Sequence, residues 1–370
     1  MGVMPPNLSP PNLSAPWPGA PGAQPIPDPV SAPPDLNAGP YDPTGSGLGD
    51  GAWAGPVGPR WFASLGGLIM TRDKPNPTTL TVPIGTDMPA WMTTRDTTVD
   101  QYRGGFEARI GRTIGQQFAI EGVYWWIDPM RNTASITGPS NGLDAFFDFG
   151  TLSAGGTPMS SLFDGAHVQQ IKRVDEFHNV EVNLLQQSTC CSGSRFGAMG
   201  LIGARYFRFA EGLSFTSAST GTNFGDNGGT TAGQYDVHVL NNFIGGQIGG
   251  RFHYYVHDKF RLYALPKIGV FANDIQHKAW LGRMDGVSAF DIHTQKTDVA
   301  ILSQADLGFS WQITPRFCAY MAYRVLAVSR VALADNQYPP VAADLQAVSR
   351  TNTNADLILH GTVFGGQFVF

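Results

Sequence analysis

From residue 60 onward, apolar and polar residues alternate in ten stretches: 61–71, 101–112, 118–127, 176–187, 196–209, 235–255, 260–273, 298–313, 317–328 and 356–370. Successive strand side chains point to opposite faces, so each stretch predicts a β-strand with one oily and one polar face. In 101–112 one face reads Tyr102, Gly104, Phe106, Ala108, Ile110, and the other Gln101, Arg103, Gly105, Glu107, Arg109, Gly111. Two arginines and a glutamate on one face cannot point into lipid, and they would be costly in a sandwich core. They suit a wet or salt-bridged barrel lumen. The same phase sets Phe118, Ile120, Tyr124 and Trp126 against Glu121, and Val180, Val182 and Leu184 against Asn179, Glu181 and Asn183. It sets Val299, Ile301, Leu307, Phe309 and Trp311 against Gln304 and Asp306.

The last stretch ends at Phe370, with Phe368 and Phe364 in the same phase. A terminus is ordinarily frayed and polar. A terminal Phe suits a strand that closes a barrel in lipid, and Phe368 and Phe370 are expected to be the signal read by the insertion machinery. The connections between stretches run long, short, long, short to the end, as short periplasmic turns and long outer loops require. A Greek-key sandwich has no reason for that order. The reading is an all-β, closed antiparallel transmembrane β-barrel of about ten strands, with twelve as the alternative. Aromatics support it. Trp61, Phe118, Phe196, Phe260, Trp311, Phe317 and Phe370 lie beside the short turns; Tyr102, Trp125, Trp126, Tyr206, Phe271 and Tyr323 lie toward the long loops. These predict two interfacial girdles.

Composition sharpens this. Charged residues are 14% and glycines number 45, the thin charge of a chain whose apolar residues face lipid. The net charge of −5 argues against nucleic-acid binding. Residues 1–59 are dense in proline, from Pro5-Pro6 to Pro33-Pro34. Proline withholds backbone donors, so a disordered tail is expected there, ahead of a barrel over 60–370. No charged start and no continuous apolar segment reads as an export signal. A barrel must be exported, so the signal is expected to have been removed or to lie upstream. Cys190, Cys191 and Cys318 form neither a disulfide framework nor a metal spacing.

Several segments resemble the planctomycete-type β-barrel porin family, porin family seven. They are His178–Leu185, Gly203–Phe207 with Glu211, Gly245–Gln247 with Gly249, and Lys267–Gly269 with Asn273. Tyr323–Val325 followed by Val331–Gln337, and Leu359–Gly361 with Gly365, extend the resemblance over about 60–370. It implies an outer-membrane barrel of a Gram-negative envelope, and supplies no substrate and no catalytic residue.

Chemistry-bearing motifs are few. No Walker A loop, nucleophile elbow, H-E-x-x-H or C-x-x-C occurs. His253 and His257 read as structural polar residues rather than a ligand pair, and Asp226 as a turn residue. A barrel hydrolase would need His167, His238 or His293 beside a loop Asp. No catalytic residue, metal or cofactor is assigned. The informative constellation is the set expected to face inward: Arg103, Glu107, Arg109, Glu121, Glu181, Arg205, Gln247, Arg251, Lys267, Asp306 and Arg324. These either line a passive pore and bias its selectivity, or pair with one another and plug a narrow barrel. The plug is the favoured expectation. The function expected is an outer-membrane barrel of the porin class, non-enzymatic. The alternative is a surface binding, adhesion or envelope-assembly protein that uses its long loops. Expected partners are outer-membrane lipid and the barrel assembly machinery. Further copies of the chain, and envelope material at the tail, are additional candidates.

Overall fold

The computed structural model describes residues 61–74, 77–84, 90–97, 102–115, 117–138, 142–187, 195–220 and 223–370. The expected tail and the Cys190-Cys191 pair lie outside these. In chain order the strands begin with β1 (Trp61–Arg72), β2 (Thr79–Pro83), β3 (Met92–Thr93), β4 (Arg103–Ile114) and β5 (Phe118–Thr137). They continue with β6 (Leu143–Ala145), β7 (Ser153–Ala154), β8 (Thr157–Pro158), β9 (Val168–Gln187) and β10 (Phe196–Ala218). The remainder are β11 (Ala232–His257), β12 (Phe260–Arg283), β13 (Ser288–Thr314), β14 (Phe317–Val331) and β15 (Ala355–Val369). Two short helices are α1 (Ser160–Phe163) and α2 (Leu345–Ser349).

The staves of a closed antiparallel barrel run β1-β15-β14-β13-β12-β11-β10-β9-β5-β4. All ten predicted stretches become staves, in the predicted order. The seam joins β1 to β15, from Phe62 opposite Val369 to Arg72 opposite Leu359. The Trp61 N–H donates to the Phe370 carbonyl at 3.0 Å, and the Phe370 N–H returns to Trp61 at 2.9 Å. Around the closed ring every stave pairs with a neighbour on each side, as lipid requires because it offers no hydrogen bonds. No helix among the described residues is long and apolar enough to cross a membrane.

The outer face is oily. Leu65, Ile202, Ile244, Val270 and Leu307 are 59–66% exposed, an arrangement that water would penalise and lipid stabilises. On β10 the oily face runs from Phe196 through Ile202 to Tyr206, and Arg208 is its first charge. Ten residue steps of about 3.3 Å, tilted by about 40°, span about 25 Å, the height of an outer-membrane apolar band. Trp61, Phe118, Phe196, Trp311, Phe317 and Phe370 ring its lower edge, and Tyr102, Tyr124 and Tyr323 are exposed along its upper one. Two expected girdle members depart. Trp125 and Phe271 are only 1% exposed and point into the barrel, because odd positions of β5 and β12 face inward.

The strands outrun the predicted ones above this band. β5 continues to Thr137, β9 begins at Val168, β10 reaches Ala218, and β12 and β13 meet across residues 284–287. The expected long loop at 274–297 is therefore a tall hairpin, and 128–175 and 211–234 lose length to their flanking strands. Above the membrane the outer face meets water, so the oily phase disappears while the ladder continues. The tall staves form a cup around a second core. Leu80, Phe147, Phe149, Leu162, Phe163 and Tyr338 from three connections pack against Leu213, Phe215, Tyr235 and Leu281 of the staves. This head lies at the end of the long connections, the outer side of such a barrel.

Candidate functional site

The lumen is layered, and β9 and β10 show the order. Reading upward, the inward residues of β9 are Leu185, Asn183, Glu181, Asn179, Phe177, Asp175, Arg173 and Ile171, all buried. Those of β10 are Met199, Leu201, Gly203, Arg205, Phe207, Phe209, Glu211 and Leu213. The staves stack in register, so each chemistry forms a disc across the barrel. A small apolar disc at the base holds Phe62, Ala119, Leu185, Met199, Leu201 and Val369. Above it lies an ionic disc, then an apolar disc, then a second ionic cluster, then the head.

The lower ionic disc holds Glu107, Arg109, Glu121, Glu181, Arg205, Gln247, Lys267, Asp306 and Arg324, all buried. Arg324 grips Asp306 with two nitrogens, at 2.9 and 2.7 Å, and reaches Glu107 at 2.6 Å. Arg109 donates to Glu107 at 2.8 and 2.6 Å and lies 3.9 Å from Glu121. On the other side Lys267 donates to Glu181 at 2.7 Å, Gln247 donates to the same carboxylate at 2.9 Å, and Arg205 lies 3.7 Å from it. Arg205 also donates to Asn179 at 2.6 Å. Arg251 is buried nearer the base, and with Arg109, Tyr263 and Tyr320 it bounds a cavity of about 20 Å³. Arg103 sits apart, half-buried higher on β4, with its guanidinium 3.4 Å from the Arg131 carbonyl. Desolvated charges of this kind persist only when paired and hydrogen-bonded.

The apolar disc above closes over them. Trp125, Phe177, Phe207, Phe209, Phe243 and Phe271 fill it with Leu302, Leu326 and Leu359. Phe177 stacks on Phe209 with centroids 4.9 Å apart. Trp125 and Phe243 flank Phe207 at 5.9 and 5.7 Å.

The second ionic cluster was not anticipated. Arg173 holds Asp335 with two nitrogens at 2.9 and 2.6 Å, and pairs with Glu211. Arg72 bridges Glu211 at 2.8 Å and Asp175 at 3.2 Å. Glu211 accepts from the Ala334 N–H at 2.7 Å. The cluster thus ties β1, β9 and β10 to the connection that follows β14. Three carboxylates face two guanidiniums here. Burial pushes Glu211 up, and its two arginines do not fully offset this. Burial also opposes the charge on Asp335, but Arg173 outweighs it and holds that carboxyl below its usual range. The signal was present in the sequence. Ile171, Arg173, Asp175 and Phe177 continue the period-two phase of 176–187 backward.

The remaining candidates do not form a site. His293 lies 2.9 Å from Asp291, but both side chains are 56% exposed on the rising hairpin. His253 is buried in the lumen, whereas His257 is exposed at the turn. Asp226 opens a tight turn in which Asn227 takes φ 52°. No metal-holding group of side chains occurs among the described residues. Cys318 is buried and unbridged. Phe368 and Phe370 point outward, their rings stacked at 6.2 Å.

Comparison with known proteins bears on what this arrangement is. No curated protein matches the chain. Among solved structures, it is similar to a major outer membrane protein from Thermus thermophilus, with 10% identity, 85% of this chain and 100% of that one covered, and a TM-score of 0.33. It is similar to the outer membrane protease OmpT from Escherichia coli, with 10% identity, coverage of 85% and 99%, and a TM-score of 0.37. A Pseudomonas aeruginosa FadL homologue gives 10% identity, coverage of 90% and 95%, and a TM-score of 0.30. The family model described as "Putative beta barrel porin-7" matches residues 65–280, more than half the chain. That span runs from within β1 to within β12 and contains the lower-disc residues from Glu107 to Lys267, while Asp306 and Arg324 lie beyond it. It takes in the motifs at 178–185, 203–211, 245–249 and 267–273, while those at 323–337 and 359–365 lie beyond it. With its closed ring of staves and oily outer face, this chain belongs to the Putative beta barrel porin-7 family, whose name points to the outer membrane.

Proposed function

We propose that this chain is a sealed, non-enzymatic outer-membrane barrel that fixes a structured head at the cell surface, as a structural and surface-binding element rather than a diffusion pore. One observation carries the reading: ionic and aromatic discs lie across the lumen in series. The cavity beside Tyr263 and Tyr320 is about 20 Å³, room for about one water. Barrels of eight strands are filled by their own side chains, and open channels need about sixteen. Ten staves lie near the filled end. The lumen charges face partners rather than a solute path, which also speaks against free general acids or bases. The outer face takes outer-membrane lipid as its partner, and the Phe368–Phe370 strand presents itself to the assembly machinery.

The test is planar-bilayer recording with the purified full chain. The expected trace equals that of the bare bilayer. Discrete, reproducible conductance steps would overturn the reading. A parallel screen with peptide and phospholipid substrates is expected to give no turnover.

A further inference from the structure

The head carries a cleft of about 710 Å³ between β13 and the connection from β14 to β15. Its origin is a mismatch in stave height. β13 pairs with β14 only up to Leu302 opposite Val328, yet β13 extends back to Ser288. Above that level the inward side chains of β13 face the 332–354 connection instead of a neighbouring stave.

Apart from Pro339 and Ala347 the lining residues are charged or polar, and none carries an aromatic ring. Lys296, Arg330 and Arg350 supply three cations, and Asp298 is the single carboxylate. This local excess of positive charge sits on a chain whose net charge is −5. Asp298 is already engaged. It accepts the Thr353 hydroxyl at 2.6 Å, and lies 3.5 Å from Lys296 and 3.5 Å from Arg330. The Arg350 guanidinium has no hydrogen-bond or ion-pair partner among the described residues. Arg330 leaves β14 with φ 55° and a side chain 66% exposed. A long side chain seldom takes that left-handed conformation, and strain of this kind collects at binding sites. The walls are held in place. The Gln337 amide donates to the Asn352 carbonyl at 2.9 Å and accepts the Asn352 N–H at 2.8 Å. Asn336 donates to Asn354 at 3.3 Å across the floor.

We propose that this cleft binds an anionic saccharide, meaning a sugar that carries carboxylate, phosphate or sulfate. Arg330 and Arg350 meet the anionic group through charge-assisted hydrogen bonds. The asparagines and threonines meet the hydroxyls. The volume falls in the range of about 300–1,000 Å³ usual for small-ligand sites. A neutral sugar finds no ring to stack on. Two sources present the same chemistry: a free oligosaccharide outside the cell, and the phosphorylated sugars of a glycolipid in the outer leaflet. The second is within reach because Val299 and Ile301 of the oily band directly follow Asp298. The site is independent of whether the lumen conducts.

The test uses the full chain in detergent micelles and titration calorimetry with three probes: tetragalacturonate, lipid A in mixed micelles, and maltotetraose as the neutral control. At least one anionic probe is expected to bind more tightly than about 1 mM, with an affinity that falls as salt rises. The double variant Arg330→Gln/Arg350→Gln is expected to bind at least about tenfold more weakly, while keeping the native heat-modifiable mobility on gels. Binding of tetragalacturonate alone identifies a soluble ligand, and binding of lipid A alone identifies the leaflet. The proposal falls if neither anionic probe binds, if maltotetraose binds equally well, or if the double variant binds like the parent.

Discussion

At the scale of single residues, the lumen is held by ionic contacts that cannot be removed one partner at a time. Arg324 serves both Asp306 and Glu107 through three hydrogen bonds. Arg324→Met would leave two desolvated carboxylates with a lost partner. The expected cost is about 3–5 kcal/mol, read as a lower urea midpoint in micelles. Adding Asp306→Asn to that variant is expected to restore part of the loss, because a neutral amide of the same shape carries no such penalty, while Glu107 keeps Arg109 as its partner. A double variant no more stable than the single one would refute this account. His277 poses the opposite problem. It sits above the membrane band, buried, with Nδ1 3.3 Å from the Thr294 hydroxyl. Burial alone lowers its pKa from 6.5 to about 4. Between those values the unfolded chain binds a proton that the folded chain refuses. Stability is therefore full above about pH 6.5 and falls as pH drops toward 4, by up to about 3 kcal/mol. His277→Gln should flatten that part of the profile. Denaturation of both proteins at pH 7 and pH 4.5 checks it, and equal losses would show that other groups drive the slope.

At the scale of elements, the staves were readable where lipid touches them and unreadable where it does not. Between Phe196 and Tyr206 every second residue is apolar, glycine or alanine, because one face meets oil and the other meets paired charges. Above Arg208 the outward residues are Ala210, Gly212 and Ser214, while Leu213 and Phe215 turn inward toward the head core. The oily phase thus changes sides at the membrane surface, and a reading tuned to outward apolar residues ends the strand there. Trp125 and Phe271 depart from the expected girdle because they share the inward phase of Glu121 and Lys267, and there they join the apolar disc. A charge cannot face lipid, so alternation alone assigns residues such as Glu107 and Glu181 inward, where they are buried. The Arg173–Asp335 contact was not legible, because it spans 162 residues. The seam offers a test at this scale. Gly66 and Gly365 face each other across β1 and β15, and a Cβ on Gly365 would lie 2.5 Å from the Leu65 carbonyl oxygen and 2.8 Å from the Tyr320 hydroxyl. Gly365→Val is expected to block closure, reducing the heat-modifiable folded band. The same substitution at Gly104, where an added Cβ meets nothing within 4 Å, should leave it unchanged.

At the scale of the molecule, barrel and head have separate cores joined by the upper ionic cluster, so the head should loosen without the barrel coming apart. Tyr338 is the probe. It stacks on Phe147 at 5.6 Å, meets Tyr235 edge-on at 4.8 Å, and donates to the carbonyls of Leu213 and Tyr235 at 3.1 and 3.2 Å. None of these partners belongs to the lumen discs. Tyr338→Ala removes a buried ring from the centre of the head, a change that costs roughly 3–5 kcal/mol in a packed core. The barrel keeps its ladders, its ionic disc and its lipid contacts, which hold the staves independently of the connections. Limited proteolysis of the variant in micelles should therefore cut within 332–354 at protease levels that spare the parent, while the trimmed protein still migrates as a folded barrel until heated. Loss of the folded band together with the first cut would mean that head and barrel unfold as one unit. In that case the stacked cores would form a single cooperative structure, and the upper ionic cluster would transmit the damage rather than contain it.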